Sequence, residues 1–189
     1  MKETVTSRIL WNNAGKTGAI LGLVSAAFMF ISQATAGIGS PIAVTALNML
    51  LWTAKFIGCI WLMRHFMLKL CSRYEGVTNA VTMRYGTIVA FLSALIYSAF
   101  LLANLLFITP DLVDMQFDQV MQMYSGMLDS NSLTMMENMR ASYPQIAFFS
   151  QLIYCFLYGT LLSFILSRYI PKNDPFANYG TGEDGQLQK

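Results

Sequence analysis

The chain has 189 residues, 55% of them hydrophobic and 12% charged, with a formal net charge of +2. Four apolar stretches of about 20 residues, the length a helix needs to cross the hydrocarbon core, account for this composition and make the chain a membrane protein. They exclude a water-soluble domain, and the small net charge gives no footing for a nucleic-acid partner.

The first stretch runs from about Thr17 to Ile38, behind a basic start that holds Lys2, Arg8 and Lys16. It ends in Ala34-Thr35-Ala36, which has the small-x-small form of a signal-peptidase site, so cleavage after Ala36 is a competing reading. A retained helix is favoured because the apolar run exceeds the core of a signal, roughly 7 to 15 residues. In addition, Ala14, Gly18, Gly22 and Ala26 recur every four residues as a packing face. The second stretch, from Ile42 to Met63, comes immediately afterwards. Ser40 offers a capping hydroxyl and Pro41 suits the first helical position, so the first two spans form an antiparallel hairpin.

Lys55 stands inside the second span. At a rise of ~1.5 Å per residue it lies roughly 21 Å from Pro41 and roughly 14 Å from Arg64, near mid-membrane. An ionisable residue at that depth is costly and marks a functional hypothesis. No Asp or Glu occurs in any of the four spans. The available polar groups are Gln33, Asn48, Asn104 and Gln151, all in the outer halves of their helices, and Lys55 leans toward them because helical side chains point toward the N-terminus. In one reading the amides bond between helices and the ammonium snorkels toward water or the aspartates near Asp111. In the other, Lys55, Asn48, Asn104, Gln151 and Gln33 line an outward-facing polar pocket for a small anion, a lipid headgroup or a partner's carboxylate.

From Arg64 to Arg84 the second helix continues as an inner extension, broken around Gly76, before the third span from Tyr85 to Thr109. The outer segment 110–145 sets five carboxylates against Arg140 alone, a net charge of −4. Its polar positions Asp111, Asp114, Asp118, Gln122, Ser125 and Asp129 oppose an apolar face that includes Val113, Phe117, Val120 and Met121, which predicts an amphipathic helix. Beyond a turn at Asp129, Ser130 and Asn131, the capping-box spacing of Thr134 and Glu137 predicts a second short helix that ends before Pro144. The pair forms a helical hairpin on the outer face. It carries Met115, Met121, Met123, Met127, Met135, Met136 and Met139, seven of thirteen methionines. Thioethers suit Cu(I), but methionine also fills apolar faces. With no His or Cys in the hairpin, no metal and no cofactor is assigned.

The fourth span runs from Ile146 to Ser167, and 171–189 reads as a flexible tail. Its formal GxGxxG, from Gly180 to Gly185, lacks the flanking strand and helix that phosphate binding needs. Small residues repeat at four-residue spacing in the third span (Gly86, Ala90, Ala94, Ser98) and in the fourth (Cys155, Gly159, Ser163, Ser167). Such faces let helices approach closely in lipid. Gly18, Gly22, Gly86 and Gly159 are therefore assigned to helix packing, with a homo-oligomer or another membrane protein as the alternative user of one face. Ten of the twelve basic residues fall on the side of the N-terminus, which predicts both termini in the cytoplasm and 110–145 outside.

Catalytic signatures are missing. His65 is the only histidine, beside Arg64 at the inner end of the second span, with no nucleophile or ligand set around it. Cys59 and Cys155 lie within spans and Cys71 on the reducing side, so no disulfide is expected. The expectation is a non-enzymatic all-α protein, residues 1–170 forming one four-helix membrane domain. The glycine-rich first helix, the Arg-Gly punctuation of the inner loop, the Ile108-Thr109-Pro110-Asp111 exit, the Met-rich acidic hairpin and the small-residue last helix together resemble a bacterial membrane family. That family, domain of unknown function forty-one ninety-nine, is associated with Bacteroidota, and the resemblance covers about residues 8 to 170. It implies a four-span inner-membrane protein and supplies no activity or site residue. The preferred function is an accessory, scaffold or partner-binding subunit. The alternative is a small transporter, channel or receptor whose pocket surrounds Lys55.

Overall fold

A computed structural model of the chain describes residues 4–35, 40–124 and 129–170. Within them run five α-helices: α1 (Ser7–Thr35), α2 (Pro41–Arg73), α3 (Asn79–Ala103), α4 (Pro110–Tyr124) and α5 (Ser130–Tyr169). A π-helical segment, Asn104–Ile108, prolongs α3. The described residues contain no strand, and a single isolated bridge joins Thr4 to Glu75. Four helices are long and apolar enough to cross a membrane: α1, α2, α3 with its π segment, and α5. The end of the first stretch with the Ala36 cleavage position, the hairpin residues 125–128 and the tail 171–189 lie outside the described residues.

Each of these helices outruns its apolar stretch. α1 begins ten residues before Thr17, and α2 reaches Arg73 without a Gly or Pro to stop it beyond Gly58. Polar residues at a helix end sit in the interfacial zone, where the backbone continues to bond to itself, so hydropathy marks the membrane and not the helix. The break after α2 falls at Gly76, whose φ of +71° is a left-handed value that glycine adopts without steric penalty. The Thr78 hydroxyl then accepts the Val81 N–H at 3.4 Å and caps α3.

The second arm of the outer hairpin corrects the sequence reading. It is not a separate helix ending at Pro144, because α5 is continuous from Ser130 to Tyr169 with Pro144 inside it. Proline removes one donor four residues downstream of the Arg140 carbonyl. That turn is only half-buried, so the orphaned carbonyl can be solvated. Nor is the cap at Thr134: the Asp129 carboxylate accepts the Ser132 N–H at 2.9 Å, and Thr134 Oγ1 donates to the Ser130 carbonyl.

α3 is the central helix, packed most extensively against α5 and α1. The glycines explain the close approach. A Cβ on Gly18 would meet Leu92 Cβ at 2.8 Å, one on Gly22 would meet Ile96 Cβ at 2.8 Å, and one on Gly159 would meet Ala90 Cβ at 2.6 Å. A Cβ on Gly86 would overlap the Ser163 hydroxyl, which donates to the Met83 carbonyl at 3.2 Å. The Gly18 and Gly22 ridge of α1 is thus filled by α3.

The core is lopsided. Leu10, Ala14, Met63, Met67, Tyr85 and Leu166 pack together at the end of the bundle that holds the N-terminus and the α2–α3 turn, here called the basic end. Toward the other end α2 stands away from its neighbours, with Met49, Leu50 and Trp52 largely exposed. A hydrogen bond from Ser32 Oγ to Asn48 Oδ1, 2.8 Å long, ties α2 back to α1 there. The space left between this tether and the core is where Lys55 lies.

Candidate functional site: a cavity around Lys55

Lys55 is half-buried, and its ammonium sits over the Tyr97 ring, 4.1 Å from the centroid. The contact is a cation–π interaction, the partner open to a cation that has no carboxylate within reach. Around it opens a cavity of about 310 Å³ formed by α1, α2, α3 and α5. Tyr97, Ser25, Ser93 and Gln151, with the thiols of Cys59 and Cys155, add polar atoms to a wall that is mostly apolar or aromatic, and no carboxylate lines it. Lys55 is its only full charge.

Two further observations give the cavity direction and chemistry. Trp52, Phe56 and Tyr154 line it and are also exposed on the outside of the bundle, so it opens through the seam between α2 and α5. Across that seam Phe56 and Tyr158 approach with ring centroids 5.2 Å apart, and Trp52 stacks on Phe56 at 5.5 Å. The Tyr158 hydroxyl is buried with no hydrogen-bond partner. The ammonium only donates, whereas the hydroxyls and the Gln151 amide both donate and accept, so Lys55 is the part of the wall that calls for an anionic acceptor.

The amide layer expected from the sequence does not converge here. Lys55 and Gln151 share the cavity, and Gln151 Nε2 donates to Cys155 Sγ at 2.9 Å. Asn48, Asn104 and Gln33 are not among the residues that line it. Asn48 is two turns beyond Lys55 and is taken by Ser32. Asn104 is buried in the π segment, where Thr109 N–H donates to its carbonyl at 2.9 Å and its Nδ2 donates to Thr109 Oγ1 at 3.3 Å. These bonds across the π segment, with its i→i+5 spacing, hold Asn104 at the α3–α4 corner.

Two of the aspartates in the 110–145 segment are already engaged. Arg140 bonds Asp114 Oδ1 through Nε at 2.7 Å and Asp118 Oδ1 through Nη1 at 2.9 Å, clamping α4 to the start of α5. The hydrogen bond to Asp114, with the charges of both aspartates, raises the guanidinium above its ordinary range. Toward the opposite end of α2, His65 stacks on Trp61 with centroids 5.6 Å apart, and among the described residues no metal-ligand set surrounds it.

The aromatic half of the site was missed by the sequence reading. A span lysine without carboxylates needs another electron-rich partner, but the sequence offers many span aromatics and no way to choose Tyr97 among them. No family model matches the chain, and no curated protein or solved structure matches it.

Proposed function

We propose that this chain is a non-enzymatic bacterial inner-membrane protein, with both termini cytoplasmic, whose cavity receives a singly anionic amphiphile from the bilayer. The observation that carries the reading is a mostly apolar cavity, open through the α2–α5 seam, with Lys55 as its sole charge. An acyl carboxylate fits this chemistry: one anionic group for Lys55, and a chain for the aromatic wall. A volume of about 310 Å³ is at the small end of ligand pockets. Receptor, carrier and channel all begin with this binding step.

The test is equilibrium binding of a fluorescent long-chain carboxylate to the purified chain, alongside Lys55→Gln and Tyr158→Phe. A charge-assisted hydrogen bond contributes ~1.5–3 kcal/mol, so Lys55→Gln is expected to weaken binding by about 10- to 100-fold. Equal affinity in wild type and Lys55→Gln overturns the reading.

The second reading, an accessory subunit that docks on a membrane partner, is supported by the half of α2 before Met63, which exposes Met49, Leu50, Trp52 and Ile57. Since α3 already fills the Gly18 and Gly22 ridge, a partner or second copy would use α2 instead. Loss of one specific companion protein from mild extracts on substituting Trp52 and Ile57, with carboxylate binding unchanged, would favour it.

A further inference from the structure

The basic end holds a second concavity, separate from the Lys55 cavity and built from different residues. It is a crevice of about 260 Å³ between α1 and α2, closed at the back by Tyr85 of α3. Its rim carries Lys16, Lys69 and Arg73, all exposed, and no acidic residue lines it. Among the described residues none of the three cations has an ion-pair partner, because both ion pairs involve Arg140. Like charges gathered on two helices repel unless an anion lies between them.

The walls are pre-organised. The Thr17 and Tyr85 hydroxyls share a 2.7 Å hydrogen bond between two buried residues, and Asn13 Nδ2 donates to the Tyr74 hydroxyl at 3.3 Å. These bonds fix α1 against α3 and against the end of α2, so the spacing of the cations is held by the fold. Polarity is graded along the crevice. Lys69 and Arg73 lie toward the chain-break side, whereas Ile20 and Phe66 lie one turn nearer the apolar spans, beyond Lys16 and Lys69 respectively. Thr17 and Tyr85 are the residues at which the first and third apolar stretches begin, which sets the crevice at headgroup depth.

We propose that this crevice is a binding site for the phosphate headgroup of an anionic phospholipid, with Lys16, Lys69 and Arg73 on the phosphate and Ile20 and Phe66 against the first carbons of its chains. Basic pockets between spanning helices bind such headgroups. A free phosphate compound shares the polar contacts, but the apolar side of the crevice favours the lipid. The site is independent of the Lys55 reading, so either can fail alone.

Native mass spectrometry of the full chain in a neutral detergent tests it, with dioctanoyl phosphatidylglycerol as the probe and inorganic phosphate as competitor. The triple variant Lys16→Gln, Lys69→Gln, Arg73→Gln is compared with Arg8→Gln, Arg64→Gln, Arg84→Gln, which removes the same charge from exposed residues outside the crevice. The expected result is lipid affinity reduced at least ~10-fold in the crevice variant and by less than about 2-fold in the control. Inorganic phosphate in ~100-fold excess is expected not to displace the lipid. Equal losses in the two triples would reduce the effect to general surface charge and overturn the site. Phosphate that binds at the crevice while the lipid does not would overturn the lipid assignment. Lys55→Gln is expected to leave the lipid bound.

Discussion

At Lys55 a mid-span charge is met by a tyrosine ring and an open volume, with no neutralising carboxylate. The energies pull in opposite directions. The ring contact contributes ~0.5–2 kcal/mol, whereas a lysine at the centre of a spanning helix costs about 2.5–3.5 kcal/mol on insertion scales. Lys55→Met should therefore leave thermal stability in detergent equal or raised by about 1–2 kcal/mol while carboxylate binding falls. A clear loss of stability would make Lys55 a structural residue. The same logic applies to Tyr158→Phe, because it deletes a buried hydroxyl that has no partner. It should not destabilise the fold, and it should leave ligand binding near the wild-type value while Lys55→Gln weakens it. Binding isotherms and melting curves on the same preparations check both.

Among the elements, the helix seams make the sharpest statements. Gly86 faces Ser163 and Met67 with no room for a Cβ, so Gly86→Leu must displace α5 and should destabilise by ~1–3 kcal/mol, as overpacking does elsewhere. Gly58→Ala meets nothing within 4 Å and should be neutral, or stabilising by up to ~1 kcal/mol through helix propensity. Parallel melting curves distinguish them.

The contact between α4 and α5 is held differently, by charge at the surface. Arg140→Gln should let α4 move away from α5 while the melting temperature stays within error. Spin labels at Met115→Cys and Met139→Cys, both exposed, would read the widened distance, and high salt should mimic it in the parent. The α5 cap is pH-sensitive. Hydrogen bonds from Ser132, side chain first and backbone N–H second, hold the Asp129 carboxyl below its ordinary value. A carboxylate depressed on folding adds its stabilisation above the unfolded value and loses it as pH falls through the folded one, here below about pH 4. Fraying of the first turn of α5 on acidification, monitored by carbon chemical shifts of Ser130 to Leu133, is expected in the parent. It should be absent in Asp129→Asn, which caps without titrating.

For the whole molecule, much of the fold was legible because long apolar runs and four-residue small repeats are written locally. The four spans, the break at Gly76 and the tight contacts at Gly18, Gly22, Gly86 and Gly159 arise from such patterns. Helix ends did not, since the polar turns flanking each span are as helical as the span itself. Pro144 misled because a proline ends a helix only where the freed carbonyl finds no other partner. Asn48, Asn104 and Gln33 were grouped with Lys55 by depth and by the lean of its side chain, and neither foretells the Ser32–Asn48 bond or the π turn that holds Asn104. Lys55 could be singled out because charge within a span is rare. Its tyrosine neighbours could not, because aromatic residues in spans are common.

The central claim is that a ligand enters between α2 and α5. The most direct measurement is photo-cross-linking of a diazirine-bearing long-chain carboxylate to the chain in lipid vesicles, with labelled peptides mapped by mass spectrometry. Labels concentrated in residues 52–59 and 151–159, displaced by unlabelled carboxylate and lost in Lys55→Gln, are the expected result. Labels spread evenly over the lipid-exposed faces, and equal in wild type and variant, would contradict it.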